Sequence, residues 1–579
     1  MDSAVQWLWR VTGRKKGYVL ALTLIQGVSG GLGVLYALLL RNIVDSAVGR
    51  DSGAFWHNVV LIIELVVLQI SLSAIVRWLQ ELAKANIENC FKRRLTDNIL
   101  RKEYGVVSAT HTAEWLNRLT NDSAVVAGGI VEILPGLTGT IVRLVSAVAM
   151  VIALDRMFAV ITVPGGIALC VMTYAFRGVL KRLQKNIQES DGLLRVFLQE
   201  HIGSLMMIKA FVAEEQTGKA AARAMNDHKK ARMRRNRFSN VANVGFAAAI
   251  QGMYLLGVVY CAHGIMSGTV TYGTLTAIMQ LIGQIQGPFY SISGYLPRFY
   301  AMTASAERLM EIETFADDGT ARSADEVYEF YLDGLSALGL RDASFTYESD
   351  DAAPVVLDGV SVEIRKGEYV AFAGHSGCGK STVLKLLMCM YPLDRGERYI
   401  AGSEGEIALD ASWRRLFAYV PQGNALMNGT IREVVSFADP DAAHDEHRLR
   451  RALEIACADD FVEDLDTVLG ERGSGLSEGQ TQRLAIARAV FADCPVLLLD
   501  ESTSALDEAT ERRLLHNLRD LTDKTVVIVT HRRAVLSICD RVLHFTETGV
   551  EEAPCASSVS HGAFISEISG QDSCDCSIV

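Results

Sequence analysis

The chain has 579 residues, a net charge of −11, 50% hydrophobic residues and a mean hydropathy of +0.20. The length calls for more than one domain, and the hydropathy is too high for an ordinary soluble enzyme yet too low for a protein that is membrane throughout. Acidic residues crowd the region after residue 340, which excludes a nucleic-acid-binding surface there.

Six apolar segments come first, near residues 17–41, 56–80, 131–154, 157–176, 241–266 and 273–296. Each approaches the ~20 residues that cross a ~30 Å hydrocarbon core. They predict an all-α six-helix transmembrane domain over 1–310, lying in a lipid bilayer. The first run is too long for a signal peptide and has no small-residue cleavage site, so no cleaved leader is expected. Lys and Arg set the orientation: fourteen lie in 177–240 and seven in 81–130, against Arg41, Arg50 and Arg156 in the opposite loops. The two long basic segments are therefore expected in the cytosol, with both termini. Apolar residues at helical spacing in 87–101 and 193–213 predict that the spans continue there as long helices.

Polar side chains in the spans have two readings. Gln26, Gln251, Tyr254, Gln280, Gln284 and Ser291 either line a translocation cavity or bond between helices. Glu64 and Arg143 are costlier at that depth and are expected to pair or to face water. The eleven cysteines show no framework spacing and read as reduced thiols.

Around Asp317-Asp318-Gly319 the pattern turns polar, marking a linker at 311–335 before a second domain at 336–570. That domain carries Gly374-His375-Ser376-Gly377-Cys378-Gly379-Lys380-Ser381-Thr382, a complete G-x-x-x-x-G-K-S phosphate loop. An apolar strand precedes it at 370–373 and an apolar helix follows at 382–390, the context that the motif needs. The glycines let backbone N–H groups form an anion nest, Lys380 can reach the β- and γ-phosphates, and Ser381 can ligate Mg²⁺. Cys378 sits inside the nest, where alkylation is expected to block ATPase activity and ATP to protect. Val496-Leu497-Leu498-Leu499-Asp500 reads as a parallel strand ending in a second Mg²⁺ carboxylate, and Glu501 is placed to activate water. An α/β P-loop nucleotidase fold, with ATP and Mg²⁺ as cofactors, is expected. The tail at 571–579, with Cys574 and Cys576, reads as a polar extension; weak metal binding and C-a-a-X lipidation are the other readings.

Leu476-Ser477-Glu478-Gly479-Gln480 then resembles the LSGGQ signature of ATP-binding cassette (ABC) transporters, with Glu478 where Gly is usual. The resemblance extends to Tyr347 as the aromatic that stacks on adenine, and to Gln422 as the glutamine that touches Mg²⁺ and the attacking water. It also covers Ser504-Ala505-Leu506-Asp507 as the D-loop, His531 as the switch histidine beside the γ-phosphate, and 467–473 as a segment that meets the membrane domain. The first half is similar to an exporter-type (type IV) half-transporter, with Glu114 to Asp122 and Glu200 to Glu214 like its cytosolic loops, and coupling helices near 104–112 and 206–215. Arg432-Glu433-Val434 departs from the family's usual Glu-Asn-Ile.

The resemblance implies a cell-membrane ATPase, with its cassette in the cytosol, that exports a lipid, drug or peptide. Each ATP would be held between the P-loop of one cassette and Ser477, Gly479 and Gln480 of another. A second half-transporter is therefore required, a homodimer being favoured because every catalytic position is intact and a heterodimer remaining open. Import of a metal chelate and an ATP-gated conductance are alternatives on the same scaffold. A soluble cassette ATPase is a third, which the six apolar segments oppose.

Overall fold

The computed structural model describes residues 2–347, 354–403, 405–423, 426–470, 473, 475–546 and 549–553. Glu471 and Arg472 of the 467–473 segment lie outside the described residues, as does the tail at 571–579. The chain divides into two compact units, residues 1–100 with 111–314 and residues 101–110 with 315–579.

The first unit is helical. In chain order the helices are α1 (Asp2–Thr12), α2 (Lys16–Val48), α3 (Ser52–Arg101), α4 (Tyr104–Ser108), α5 (Thr112–Asn117), α6 (Ser123–Leu154), α7 (Arg156–Gly203), α8 (Leu205–Ala210), α9 (Glu214–Met266) and α10 (Tyr272–Glu311). Of these, α4 belongs to the second unit. No Gly or Pro follows Gly53 within α3, so nothing breaks its 50 residues. At 1.5 Å per residue it runs about 75 Å, far more than a bilayer core requires. The expected continuation of spans into long helices is therefore present. Helical stretches apolar and long enough to cross a membrane lie within 4–48, 52–101, 112–154 and 214–266. The other two expected spans fall in α7 and α10, where side chains are described only in part.

A buried carboxylate ties this unit together. Asp122, in the π-turn joining α5 to α6, accepts from Ser305 Oγ at 2.8 Å and from Arg308 Nε at 2.8 Å, both on α10. Gln284 Nε2 donates to Gly33 O at 2.5 Å, which is the inter-helix reading of that residue. Gln26 instead lines a cavity of about 450 Å³ with Arg77, Lys84, Glu132, Tyr295 and Arg298. Glu64 and Arg143 are exposed, and neither has an ion-pair partner among the described residues.

The expected linker is not an extended tether. Residues 324–329 form α11 (Ala324–Glu329), started by a capping box in which Ser323 and Glu326 exchange hydrogen bonds. Val327 and Tyr331 bury against the second unit's core. Upstream, Asp318 N donates to Arg101 O at 2.7 Å and Lys102 Nζ to Phe315 O at 2.7 Å, which folds 101–110 into the second unit.

That unit is α/β. Its strands are β1 (Leu335–Phe345), β2 (Leu357–Arg365), β3 (Tyr369–Gly374), β4 (Arg395–Gly402), β5 (Gly405–Ala408), β6 (Phe417–Val420), β7 (Gly429–Thr430), β8 (Val468–Leu469), β9 (Val496–Asp500), β10 (Thr525–Val529), β11 (Arg541–Thr546) and β12 (Gly549–Ala553). Helices α12 (Lys380–Leu387), α13 (Ile431–Val435), α14 (Glu446–Ile455), α15 (Glu478–Phe491), α16 (Glu508–Arg519) and α17 (Arg533–Leu536) connect them. One antiparallel sheet has the order β2-β1-β4-β5, and a six-stranded sheet has the order β12-β11-β3-β10-β9-β6. The strands from β11 to β6 are parallel, and β3, β9 and β10 are continuous apolar runs of the kind that sheets covered on both faces demand.

Candidate nucleotide site

Parallel register decides where the chemistry collects. Val529 of β10 lies opposite Phe372 of β3 on one side and Asp500 of β9 on the other, and Val420 of β6 pairs with Leu499. All four strands therefore end at one edge of the sheet. The phosphate loop follows β3, Glu501 follows β9, Gln422 lies two residues past β6 and His531 two past β10. In open α/β sheets this carboxyl edge is where ligands bind.

The phosphate loop needs its glycines at two places. Gly374 has φ +141° and Gly379 has φ +93°, and a Cβ would fall 2.5 Å from Phe545 O at the first and 2.5 Å from Leu357 Cδ2 at the second. Gly379 caps the N-terminus of α12, so the loop's N–H groups and the helix dipole converge on one anion site. Lys380 is buried, and its ammonium donates to Gly374 O at 2.8 Å and His375 O at 2.7 Å. His375 Nδ1 lies 3.0 Å from Ser376 O, and Gly377 turns the loop with φ +86°. Cys378 is half-buried, with Lys380 Nζ 3.5 Å from its sulfur.

Ser381 Oγ donates to Asp500 Oδ1 at 2.8 Å, and Tyr419 OH donates to Asp500 Oδ2 at 3.1 Å. Asp500 is only 1% exposed. Burial pushes its carboxyl above the usual carboxylate range, while the Ser381 and Tyr419 hydroxyls pull the other way. Burial beside Asp500 likewise raises the Tyr419 phenol. Both hydroxyls satisfy lone pairs that would otherwise be stranded in the core.

Glu501 adopts φ +48°, the left-handed region, while its N–H donates to Val529 O at 3.1 Å. The β9–β10 register thus holds a strained backbone in place, and such strain collects at functional positions. Its carboxylate accepts from Gln422 Nε2 at 2.7 Å and faces His531 Nε2 at 3.8 Å. Tyr347 stands beside the loop, with its hydroxyl 3.0 Å from Thr382 Oγ1. The structure therefore brings together Tyr347, 374–382, Gln422, Asp500, Glu501 and His531.

Ser477, Gly479 and Gln480 belong to a different local cluster. Ser477 Oγ accepts from Gln480 N at 3.2 Å and Gln480 Oε1 accepts from Ser477 N at 2.8 Å, a capping box that starts α15. A Cβ on Gly479 would lie 2.9 Å from Ala505 O, so this helix end abuts the 504–507 turn. Glu478 is exposed on the first turn of α15, where a carboxylate suits the helix dipole.

Three residues in this region escaped the sequence reading. Gln482, 2% exposed, donates to Ser504 Oγ at 3.0 Å and accepts from Ala505 N at 3.1 Å. Arg532 donates to Ser504 O at 2.7 Å and Leu506 O at 3.1 Å, and pairs with the buried Glu511 at 3.0 Å. A polar residue on the otherwise apolar face of α15, beside Ala485 and Ile486, was the signal available for Gln482.

Known proteins resolve the identity of this arrangement. The family described as "ABC transporter transmembrane region" matches residues 19–289, and the family described as "ABC transporter" matches residues 357–504. The chain belongs to the ABC transporters. It is 27% identical over 522 residues to an "ATP-dependent lipid A-core flippase" of Mannheimia succiniciproducens, covering 88% of this chain and 87% of that protein. It is 31% identical over 358 residues to the "Leukotoxin translocation ATP-binding protein LktB" of Mannheimia haemolytica, covering 60% of this chain and 49% of that one. The chain thus spans about half the length of the leukotoxin relative. A bacterial Atm1-family ABC exporter solved with ATP bound superposes with a TM-score of 0.77 at 20% identity, covering 98% of this chain and 100% of that one, which shows the fold. This ABC transporter is a membrane-embedded ATP hydrolase with a helical membrane region fused to its ATPase domain.

Proposed function

We propose that the chain is one half of a dimeric, ATP-driven exporter of an amphipathic substrate, divided into a membrane domain at 1–310, a connecting segment at 311–335 and a cassette at 336–570. The observation that carries this reading is the gathering of Ser381, Gln422, Asp500, Glu501 and His531 at one strand edge beside the phosphate loop. Glu501 orients and deprotonates the attacking water, and Gln422 and His531 fix its carboxylate. The nest at 374–382 and Lys380 bind the phosphates, and Tyr347 takes the adenine. Ser381 and Asp500 offer an oxygen-only donor pair, with Gln422 nearby, which fits a hard cation such as Mg²⁺. Such an ion, when bound, offsets charge on the phosphates.

Ser477, Gly479 and Gln480 cap the nucleotide of a second copy, so two chains act together, most simply as a homodimer. Export of a lipid or peptide is favoured by the two relatives, one named for flipping lipid A-core and the other for translocating a leukotoxin. The cavity is lined by Arg77, Lys84 and Arg298 against Glu81 and Glu132, so it suits a charged head group, with an excess of one cation favouring an anionic one. Purified chain in nanodiscs, screened against anionic lipids and peptides for stimulation of ATP hydrolysis, tests this reading. Stimulation that requires Glu501 is the expected result. Hydrolysis unaffected by Glu501→Gln would overturn the catalytic assignment.

A further inference from the structure

We infer that Tyr391 reports adenine occupancy to the helix at 104–108, because its ring stands edge-on to Tyr347 on one side and edge-on to Tyr104 on the other. The inference rests on the proposed placement of adenine on Tyr347 and adds a regulatory consequence to it.

The ring centroids of Tyr347 and Tyr391 are 5.3 Å apart at 87°, and those of Tyr104 and Tyr391 are 5.7 Å apart at 86°. Phe345 backs the cluster, 4.9 Å from Tyr347 and 5.5 Å from Tyr391. Edge-to-face contacts depend on orientation, so fixing one ring biases its neighbour. Tyr347 is 44% exposed, which leaves ring surface for a base to cover, while its hydroxyl is already held by Thr382 on the phosphate-loop helix. Tyr391 is anchored by its own backbone, since Arg398 donates to its carbonyl at 2.9 Å. On the far side α4 presses close. A Cβ on Gly105 would lie 2.9 Å from Tyr391 Cδ1, and Ser108 Oγ lies 3.4 Å from the Tyr391 hydroxyl. Tyr347, Tyr391 and Tyr104 of α4 thus form one contiguous run of edge-to-face contacts, which a base on Tyr347 would extend, separate from the Gln422–Glu501 contact, which answers to the γ-phosphate end. All of these residues belong to the same compact unit.

This run of contacts predicts that α4 responds to the base as well as to the triphosphate. Hydrogen–deuterium exchange of residues 101–110 in the full chain, in nanodiscs, separates the two. Mg²⁺ with ATP is compared with Mg²⁺ with inorganic tripolyphosphate, the latter at a concentration that inhibits ATP hydrolysis. In the wild type ATP should protect these amides about threefold more than tripolyphosphate, the scale of one edge-to-face contact. That extra factor should vanish in Tyr391→Leu and in Gly105→Ala, which keeps the tyrosine but forces the helix away, and it should persist in Tyr391→Phe. Equal protection by the two ligands in the wild type overturns the proposal, as does extra protection that survives both Tyr391→Leu and Gly105→Ala. Tyr347→Leu separates the two failures. If it leaves the preference for ATP over tripolyphosphate unchanged, the adenine assignment falls and the relay with it. If it lowers that preference while the Tyr391→Leu and Gly105→Ala proteins keep the extra protection, only the relay falls.

Discussion

The side-chain amide of Gln422 donates to the carboxylate of Glu501 at 2.7 Å, joining the loop after one parallel strand to the end of its neighbour. The bond orients Glu501 Oε2 and leaves Oε1 turned toward His531. Replacing Glu501 by Gln keeps the shape and removes the base. Hydrolysis should fall by about 10²–10⁴-fold, the usual worth of a positioned general base. Nucleotide binding should survive, so a filter-binding assay showing retained ATP beside lost phosphate release checks the assignment. Because Glu501 sits at φ +48°, Glu501→Gly should unfold at a higher temperature than Glu501→Ala, both being inactive.

Asp500 carries a pH signature. Its folded pKa is raised by burial above the unfolded value, so between the two the native state holds the extra proton and stability falls as pH rises. Above the folded pKa the full cost of the buried charge is present; below the unfolded pKa it is gone. Asp500→Asn should therefore raise the apparent Tm of the nucleotide-free protein by a few degrees at neutral pH, with the gain shrinking as acidification passes the raised folded pKa and vanishing once the ordinary carboxylate pKa is passed. Thermal unfolding of both proteins at neutral and acidic pH measures this. The same variant should lose hydrolysis that depends on Mg²⁺ and ATP, because one of the two oxygen donors beside Ser381 has lost its charge.

Cys378 is a chemical probe of the nest. Its half-buried sulfur lies within the phosphate loop, 3.5 Å from Lys380 Nζ, so an alkyl group there fills space that the phosphates require. A maleimide should inactivate the wild type, and ATP should protect it. Cys378→Ser should retain hydrolysis and resist the reagent. Inactivation of Cys378→Ser at the wild-type rate would place the sensitive thiol elsewhere.

In the membrane unit the cavity near Gln26 gathers Arg77, Lys84 and Arg298 with Glu81 and Glu132, and Arg298 is paired with Glu132 at 2.6 Å, while Glu81 forms no ion pair among the described residues. Arg77 and Lys84 have no carboxylate partner among the described residues. Removing either should weaken stimulation by an anionic amphiphile about tenfold, the worth of one charge-assisted contact, while basal hydrolysis stays near wild type. A titration of ATPase rate against amphiphile concentration decides it.

What the sequence disclosed followed from local pattern. The phosphate loop, the apolar runs of β3 and β9 and the acidic pair at the end of β9 each lie within a few residues, so spacing alone carries them. The apolar stretches in 4–48, 52–101, 112–154 and 214–266 were legible for the same reason. Contacts that join distant segments were not. Nothing local marks Tyr391 as the neighbour of Tyr104, 287 positions earlier in the chain, or Gln482 as the clamp on Ser504 and Ala505. The segment at 311–335 looked like a tether because its polar composition hid two facts, the capping box at Ser323 and the burial of Val327 and Tyr331. Polar content records what faces water, and it misses the few side chains that do not.

The pair formed by Arg532 and Glu511 offers a test of how the 504–507 turn is held. Glu511 is 3% exposed and one of its oxygens lacks a protein partner, so Arg532 is its main compensation. Arg532→Ala would strand that carboxylate and release the carbonyls of Ser504 and Leu506 together. The expected loss is about 2–4 kcal/mol, toward the lower end because the guanidinium is partly exposed. Changing both partners, Arg532→Met with Glu511→Leu, removes the stranded charge and should recover most of the thermal stability. Hydrolysis should not recover with it, because Arg532 also fixes the turn that begins three residues after Glu501. Recovery of both in the double variant would mean that the pair serves stability alone.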